Sequence, residues 1–167
     1  SQYQLAAQGC VVAWFGWISF EGAFVPIAER CGHLGHQKTL EPRWRGWMHY
    51  VASLAWQSAG QTSAALMAAD AGLDIVTAEQ EPILTSLLRT ERATIHAQQG
   101  RMDGVVDTYE VVLTIQTAAH EPVLAAMTKT RMGLILLAQG CLESARDTLL
   151  DALESHGETQ NHRAQAV

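Results

Sequence analysis

Proline and cysteine are scarce in these 167 residues, with four of the first and three of the second. Cys10, Cys31 and Cys141 form an odd set with no framework spacing, which excludes a disulfide-stapled fold and reads as reduced thiols in a cytoplasmic setting. Charge is thin as well, at 17% of residues, and the net balance is −6. The 11 basic residues are scattered, and the densest cluster is only Arg43 with Arg45. Phosphate-rich partners need clustered lysine and arginine, so direct nucleic-acid binding is not expected. No apolar run approaches the roughly 18 residues of a membrane span. The richest, CVVAWFGWISF at 10–20, is too short.

Catalytic signatures are missing too. Nothing matches a phosphate loop, a dinucleotide fingerprint, a nucleophile elbow or a His-Glu-x-x-His zinc helix. HEPVLA at 120–125 begins like the last, but Leu124 stands where a histidine is required and Pro122 breaks the geometry. We expect no enzyme and no cofactor. Residue 1 is Ser rather than Met, and we expect the chain to be a piece of a longer protein.

What the chain does have is a period. Pro42, Pro82 and Pro122 lie 40 residues apart, each behind a glutamate, and Gly60, Gly100 and Gly140 follow each proline by 18. Proline at the first helical position is pre-set for helical φ and loses no needed amide bond. The glutamate before it is held extended, and its charge suits a helix N-terminus. Glycine leaves a helix at the least steric cost. Each Pro-to-Gly segment therefore predicts a helix of four to five turns.

A second helix follows each glycine. Its apolar or small positions run Ala65, Ala69, Gly72, Leu73 and Val76, then Val105, Tyr109, Val112, Leu113 and Gln116, then Ala145, Leu149, Ala152, Leu153 and His156. Steps of four, three, one and three trace one helix face. In the first helices, Trp44, Leu84 and Leu124 form one column, and Trp47, Leu87 and Met127 the next. Ser53, Ala93 and Gly133 keep a third column small, so that a paired helix can come close. Residues 3–36 fit a shortened copy with Gly22 at its turn and Pro26 in the first turn of its second helix. The expected fold is all-α, a superhelical solenoid of about four antiparallel hairpins. Their bounds are about 3–36, 42–78, 82–118 and 122–156, with a polar tail at 157–167 that frays or begins another helix. One such unit cannot bury its apolar face alone, so stacking must supply the core.

These residues resemble tetratricopeptide repeats. GLILLAQGCLESARDTLLDAL at 133–153 carries the pattern closely, with Gly133, Gly140, Ala145, Leu149 and Ala152 at the small, turn and large positions. ATIHAQQGRMDGVVDTYEVVL at 93–113 follows with Ala93, Gly100, Val105, Tyr109 and Val112. The match covers 41–156 well and 3–36 loosely. Arg89 and Lys129 depart from it where the family has a large apolar residue, and Arg92 replaces a leucine. The 40-residue period is similar to that of bacterial signalling regulators. These include the MalT-like region of large LuxR-family transcription activators, the peptide-sensing Rap and PlcR group, and repeats attached to nucleotide cyclases.

The resemblance implies that first helices line a concave groove. Its lining would be Trp47, Tyr50, Leu54 and Gln57, then Leu87, Thr90, Thr94 and Ala97, then Met127, Thr130, Leu134 and Leu137. That surface suits an amphipathic helix, a peptide segment or an apolar effector. The other reading is that the same residues pack between neighbouring hairpins. Partners would be a protein or small effector and flanking domains of the same chain, with no nucleic acid or membrane.

Two further clusters invite chemistry. Cys31, His33 and His36 are metal-ligand types, but zinc would need a fourth ligand such as Cys10 or His49. The simpler reading is a helix end with a half-buried cysteine and two solvated histidines. Glu143, Asp147, Asp151 and Glu154 step by four, four and three, opposite Ala145, Leu149 and Ala152, and read as the solvated face of an amphipathic helix. The expected function is a non-catalytic binding scaffold of a bacterial signalling or transcription regulator. The alternatives are a self-association module and a small metal-binding protein using Cys31, His33 and His36.

Overall fold

A computed structural model describes the backbone of residues 24–165 and the side chains of residues 24–157. Among the described residues there are seven helices and no strand, so this part of the protein is all-α. They are α1 (Phe24–Gly35), α2 (Pro42–Ser58), α3 (Thr62–Leu73), α4 (Pro82–Gln98), α5 (Val105–Ala118), α6 (Pro122–Ala138) and α7 (Leu142–Gln165). Cys10, Trp14, Trp17, Gly22 and the first helix expected at 3–19 lie outside the described residues. None of the described helices is long and apolar enough to cross a membrane.

Backbone hydrogen bonds repeat with the sequence. α2, α4 and α6 each start on the repeat proline and run 17 residues. The glutamate carbonyl before each proline accepts the first helical bond, from Arg45 N, Thr85 N and Ala125 N at 3.1, 2.9 and 3.0 Å. At the far ends, Gln61, Arg101 and Cys141 donate five residues back to Trp56, His96 and Leu136, all at 2.9 Å. That closure requires a left-handed residue just past the helix, and Gly60, Gly100 and Gly140 hold φ of +74, +76 and +80°. Local chemistry alone sets these ends.

Two bounds differ from the period. α5 begins at Val105, because Gly104 takes φ +69° and turns the chain after Asp103. The last helix does not stop at 156 but continues to Gln165. One period beyond Glu121-Pro122, the chain carries Asn161 and His162 instead of Glu-Pro, so no proline interrupts the helix there.

The described residues divide into two compact units, one ending at residue 95 and the other beginning at residue 96, with the division inside α4. In the first, α1 packs on α2 and α2 on α3. Cys31, Leu34, Leu40, Met48, Val51 and Ala52 form one buried cluster, with Trp44, Trp47 and Trp56 against it. Val76, Leu84 and Leu88 form another, with Trp47, Tyr50, Leu73 and Ile75 against it. Trp47 belongs to both. In the second unit, α5 packs on α6 and α6 on α7. Val105, Tyr109, Val112, Ala126, Ala145 and Ala152 are buried there. The small column does what its size allows: a Cβ on Gly133 would stand 2.6 Å from Leu149 Cγ. In the first unit Ser53 holds that place, and its hydroxyl donates to the Ala65 carbonyl at 2.8 Å, tying α2 to α3.

Candidate functional site

On α2, the groove-assigned Trp47, Tyr50, Leu54 and Gln57 are all half-buried. Trp47 and Tyr50 meet edge to face, with ring centroids 5.8 Å apart at 76°. The Arg43 guanidinium lies 5.9 Å from the Trp44 ring centroid, within cation–π reach. On α4, Leu87 and Thr94 are half-buried, whereas Thr90 and Ala97 are buried. The Thr90 and Thr94 hydroxyls each donate four residues back along their own helix, to the Ser86 and Thr90 carbonyls at 2.8 Å. Their protons are therefore committed, and toward a ligand they offer mainly methyl groups and oxygen lone pairs.

On α6, Met127, Leu134 and Leu137 are exposed and Thr130 is half-buried. The four step by three, four and three, so they share one helix face. Thr130 Oγ1 donates to the Ala126 carbonyl at 3.0 Å and lies 3.5 Å from His156 Nε2. The first unit thus brings together an aromatic pair with a leucine and an amide, and the second presents an open apolar stripe. The hydroxyl nearest a base in either set, Thr130 Oγ1 beside His156 Nε2, has its proton on the Ala126 carbonyl.

The metal-type residues are not gathered. Cys31 is fully buried rather than half-buried, His33 is exposed and accepts from Gln37 Nε2 at 3.1 Å, and His36 is exposed with its ring edge-on to His49 at 5.0 Å. Among the described residues no three His, Cys, Asp or Glu side chains lie together as a cation would need. His49 is buried, and its pKa falls from 6.5 to about 4 through burial first, then the charges of His36 and Arg45. Only the Gly35 backbone opposes that shift, without a well-aligned hydrogen bond to Nε2.

Glu143, Asp147, Asp151 and Glu154 are exposed. Asp147 pairs with Arg146 at 2.9 Å and Asp151 with Lys129 at 2.8 Å. This is a solvated face with cations on it. His120, the first residue of HEPVLA, sits in a turn at φ +57°, before the helix that Leu124 belongs to.

The departures from the repeat pattern acquire roles. Lys129 reaches from α6 to Asp151 at 2.8 Å and Ser155 Oγ at 3.2 Å on α7. Arg92 reaches from α4 to Asp70 on α3 at 3.4 Å. Two features escaped the sequence reading. Glu91 is buried, at the place Val51 holds one period earlier, and comparing that column would have flagged it. Leu153, assigned to a buried face, is exposed together with Leu142 and Leu150. Neither the family models nor the curated proteins compared with the chain gave a match.

Proposed function

We propose that the chain is a non-catalytic, tetratricopeptide-like binding scaffold. Its hairpins would stack as a solenoid and hold a helix, peptide segment or small effector on the first-helix faces. The observation that carries this reading is the recurrence, every 40 residues, of the whole Glu-Pro to Gly hydrogen-bond pattern. Repeated rigid helices present preorganised side chains, so a partner bears most of the ordering entropy. The exposed Met127, Leu134 and Leu137 and the Trp47–Tyr50 pair suit apolar anchors spaced three and four apart. The host would be a bacterial signalling or transcription regulator with MalT-like repeats, and this region would bind rather than catalyse.

A random peptide library displayed on phage and panned against the folded chain tests the reading. The expected selection is a consensus with apolar residues at i, i+3 or i+4, and i+7. Binding of peptides that seat on the second unit should fall at least about tenfold with Leu134→Glu, and of those that seat on the first with Tyr50→Ala, as loss of one buried anchor implies. Binding that survives both substitutions removes the first-helix faces from consideration. The assembly alternative predicts a mass that grows with protein concentration, which sedimentation reads directly.

A further inference from the structure

In the first unit a buried imidazole stands among three helices with no anion beside it. His49, on α2, is 2% exposed, and its Nε2 has no well-aligned hydrogen-bond partner. Gly35, at the end of α1, makes room for the ring, since a Cβ there would stand 2.7 Å from Nε2. Gly72 on α3 makes room at the base of the side chain, where a Cβ would stand 3.2 Å from His49 Cβ. The groups facing the ring are bases or cations. From the turn after α1 comes His36, edge-on with ring centroids 5.0 Å apart. From α2 itself comes Arg45, whose Nε donates to the Gly35 carbonyl at 3.0 Å. On α3, the Asp70 carboxylate is exposed and pairs with Arg92 at 3.4 Å. No carboxylate is among the groups that act on the His49 charge.

A proton on His49 therefore creates an imidazolium in a low-dielectric site beside a guanidinium, with nothing to offset it. Because Nε2 lies against Gly35, the smallest rearrangement that hydrates the ring separates the end of α1 from α2. That route is built into the packing. Ala28, Cys31, Leu34 and Gly35 form the buried face of α1, which packs on α2. Only residues 36–41 join the two helices, held by short-range bonds from Gln37 N to the Leu34 carbonyl and from Leu40 N to the Gln37 carbonyl. α2 is tied separately to α3, through the Ser53 hydroxyl on the Ala65 carbonyl at 2.8 Å. Cys31, fully buried, lies one turn before Gly35 on the face that would lift.

We propose that α1 is an acid-released clasp: a proton on His49 frees the end of α1 from α2 and bares the Cys31 thiol, while α2 and α3 stay paired. The device involves no ligand and stands apart from the first-helix groove, so either reading can fail alone.

Thiol labelling of the whole chain with a pyridyl disulfide, read site by site by mass spectrometry, tests it. Cys141 is exposed and serves as the internal standard for the reagent's own pH dependence. The closed form holds His49 neutral down to about pH 4, whereas an opened form protonates it near 6.5. Opening therefore grows as pH falls through that window and is constant above it. Between pH 7.5 and pH 5 the Cys31 to Cys141 rate ratio should rise about 30-fold. His49→Leu should leave the ratio flat. His36→Glu, at an exposed site, places a carboxylate beside the imidazolium and should at least halve the rise, which keeps the test decisive where His49→Leu does not fold. Amide exchange in α2 and α3 should keep its protection across the same range. A ratio that stays flat in the unsubstituted chain overturns the proposal, as does a rise that survives His49→Leu or is unmoved by His36→Glu. So does an equal loss of protection in α2 and α3, because the unit would then be unfolding as a whole.

Discussion

His49 shows how much one side chain can impose. Its ring is wedged against Gly35, where a Cβ would meet Nε2 at 2.7 Å, and Arg45 donates to the Gly35 carbonyl at 3.0 Å. The folded protein keeps this imidazole neutral down to about pH 4, while the unfolded chain protonates it near 6.5. Between those values the unfolded state binds the extra proton, so stability falls as pH falls through that window. Above 6.5 both states are neutral and the group has no effect. The loss should approach about 1.4 kcal/mol for each pH unit within the window. Urea unfolding at pH 7.5 and pH 5 should show it, and His49→Leu should flatten the difference. His120 is the opposite case, a residue in the wrong conformation for its type. Its φ of +57° belongs to glycine, so His120→Gly should raise stability by about 0.5 kcal/mol, read as a higher urea midpoint with an unchanged slope.

Elements are matched by volume and by polarity. The column that keeps α6 close to α7 ends in Gly133 against Leu149; sixteen residues after Ser53, in the first unit, stands Ala69. Small and large trade places along the column. Gly133→Ala alone should cost about 1–2 kcal/mol by overpacking, and almost nothing more when added to Leu149→Ala. Thermal melts of the two single variants and the double one would read this. The α5–α6 contact differs from the α3–α4 contact in kind, for Gln116 and Thr128 stand where Val76 and Leu88 stand. Thr128→Val takes one donor from a buried amide and should cost about 1–2 kcal/mol. Gln116→Val with Thr128→Leu, which copies the apolar junction, should cost less than the Thr128→Val single variant. A double variant worse than that single one would show that the amide serves partners beyond Thr128. Punctuation was readable at this scale wherever it acts locally, in the prolines, the glycines and the small column. The delayed start of α5 was not read, although Asp103-Gly104 carries the turn chemistry that causes it.

Across the whole molecule, charge decides more about partners than about stability. Among the described residues, the four ion pairs Arg43–Glu81, Arg92–Asp70, Lys129–Asp151 and Arg146–Asp147 each have at least one exposed member, and such pairs contribute about 0–1 kcal/mol apiece. A net charge of −6 with dispersed basic residues offers no cluster of cations to displace the counterions condensed on DNA. The protein should pass a DNA column unretained even at low salt. Retention that weakens linearly with the logarithm of salt concentration would mean that its few basic residues converge in a way the sequence does not display.

Helix ends along most of the chain were determined by sequence alone, because proline and glycine act through their own φ and need no neighbour. The identity of the inward face was also legible, since Ala65, Val105 and Ala145 recur at the same step and all are buried. Coverage was not. Leu73, Leu113 and Leu153 occupy one column, yet the first two are half-buried and the third is open to solvent. The burial of Glu91 and the pairing of Lys129 with Asp151 follow the same logic. Whether a side chain is core or surface depends on which helix lies over it, and only the tertiary structure supplies that helix.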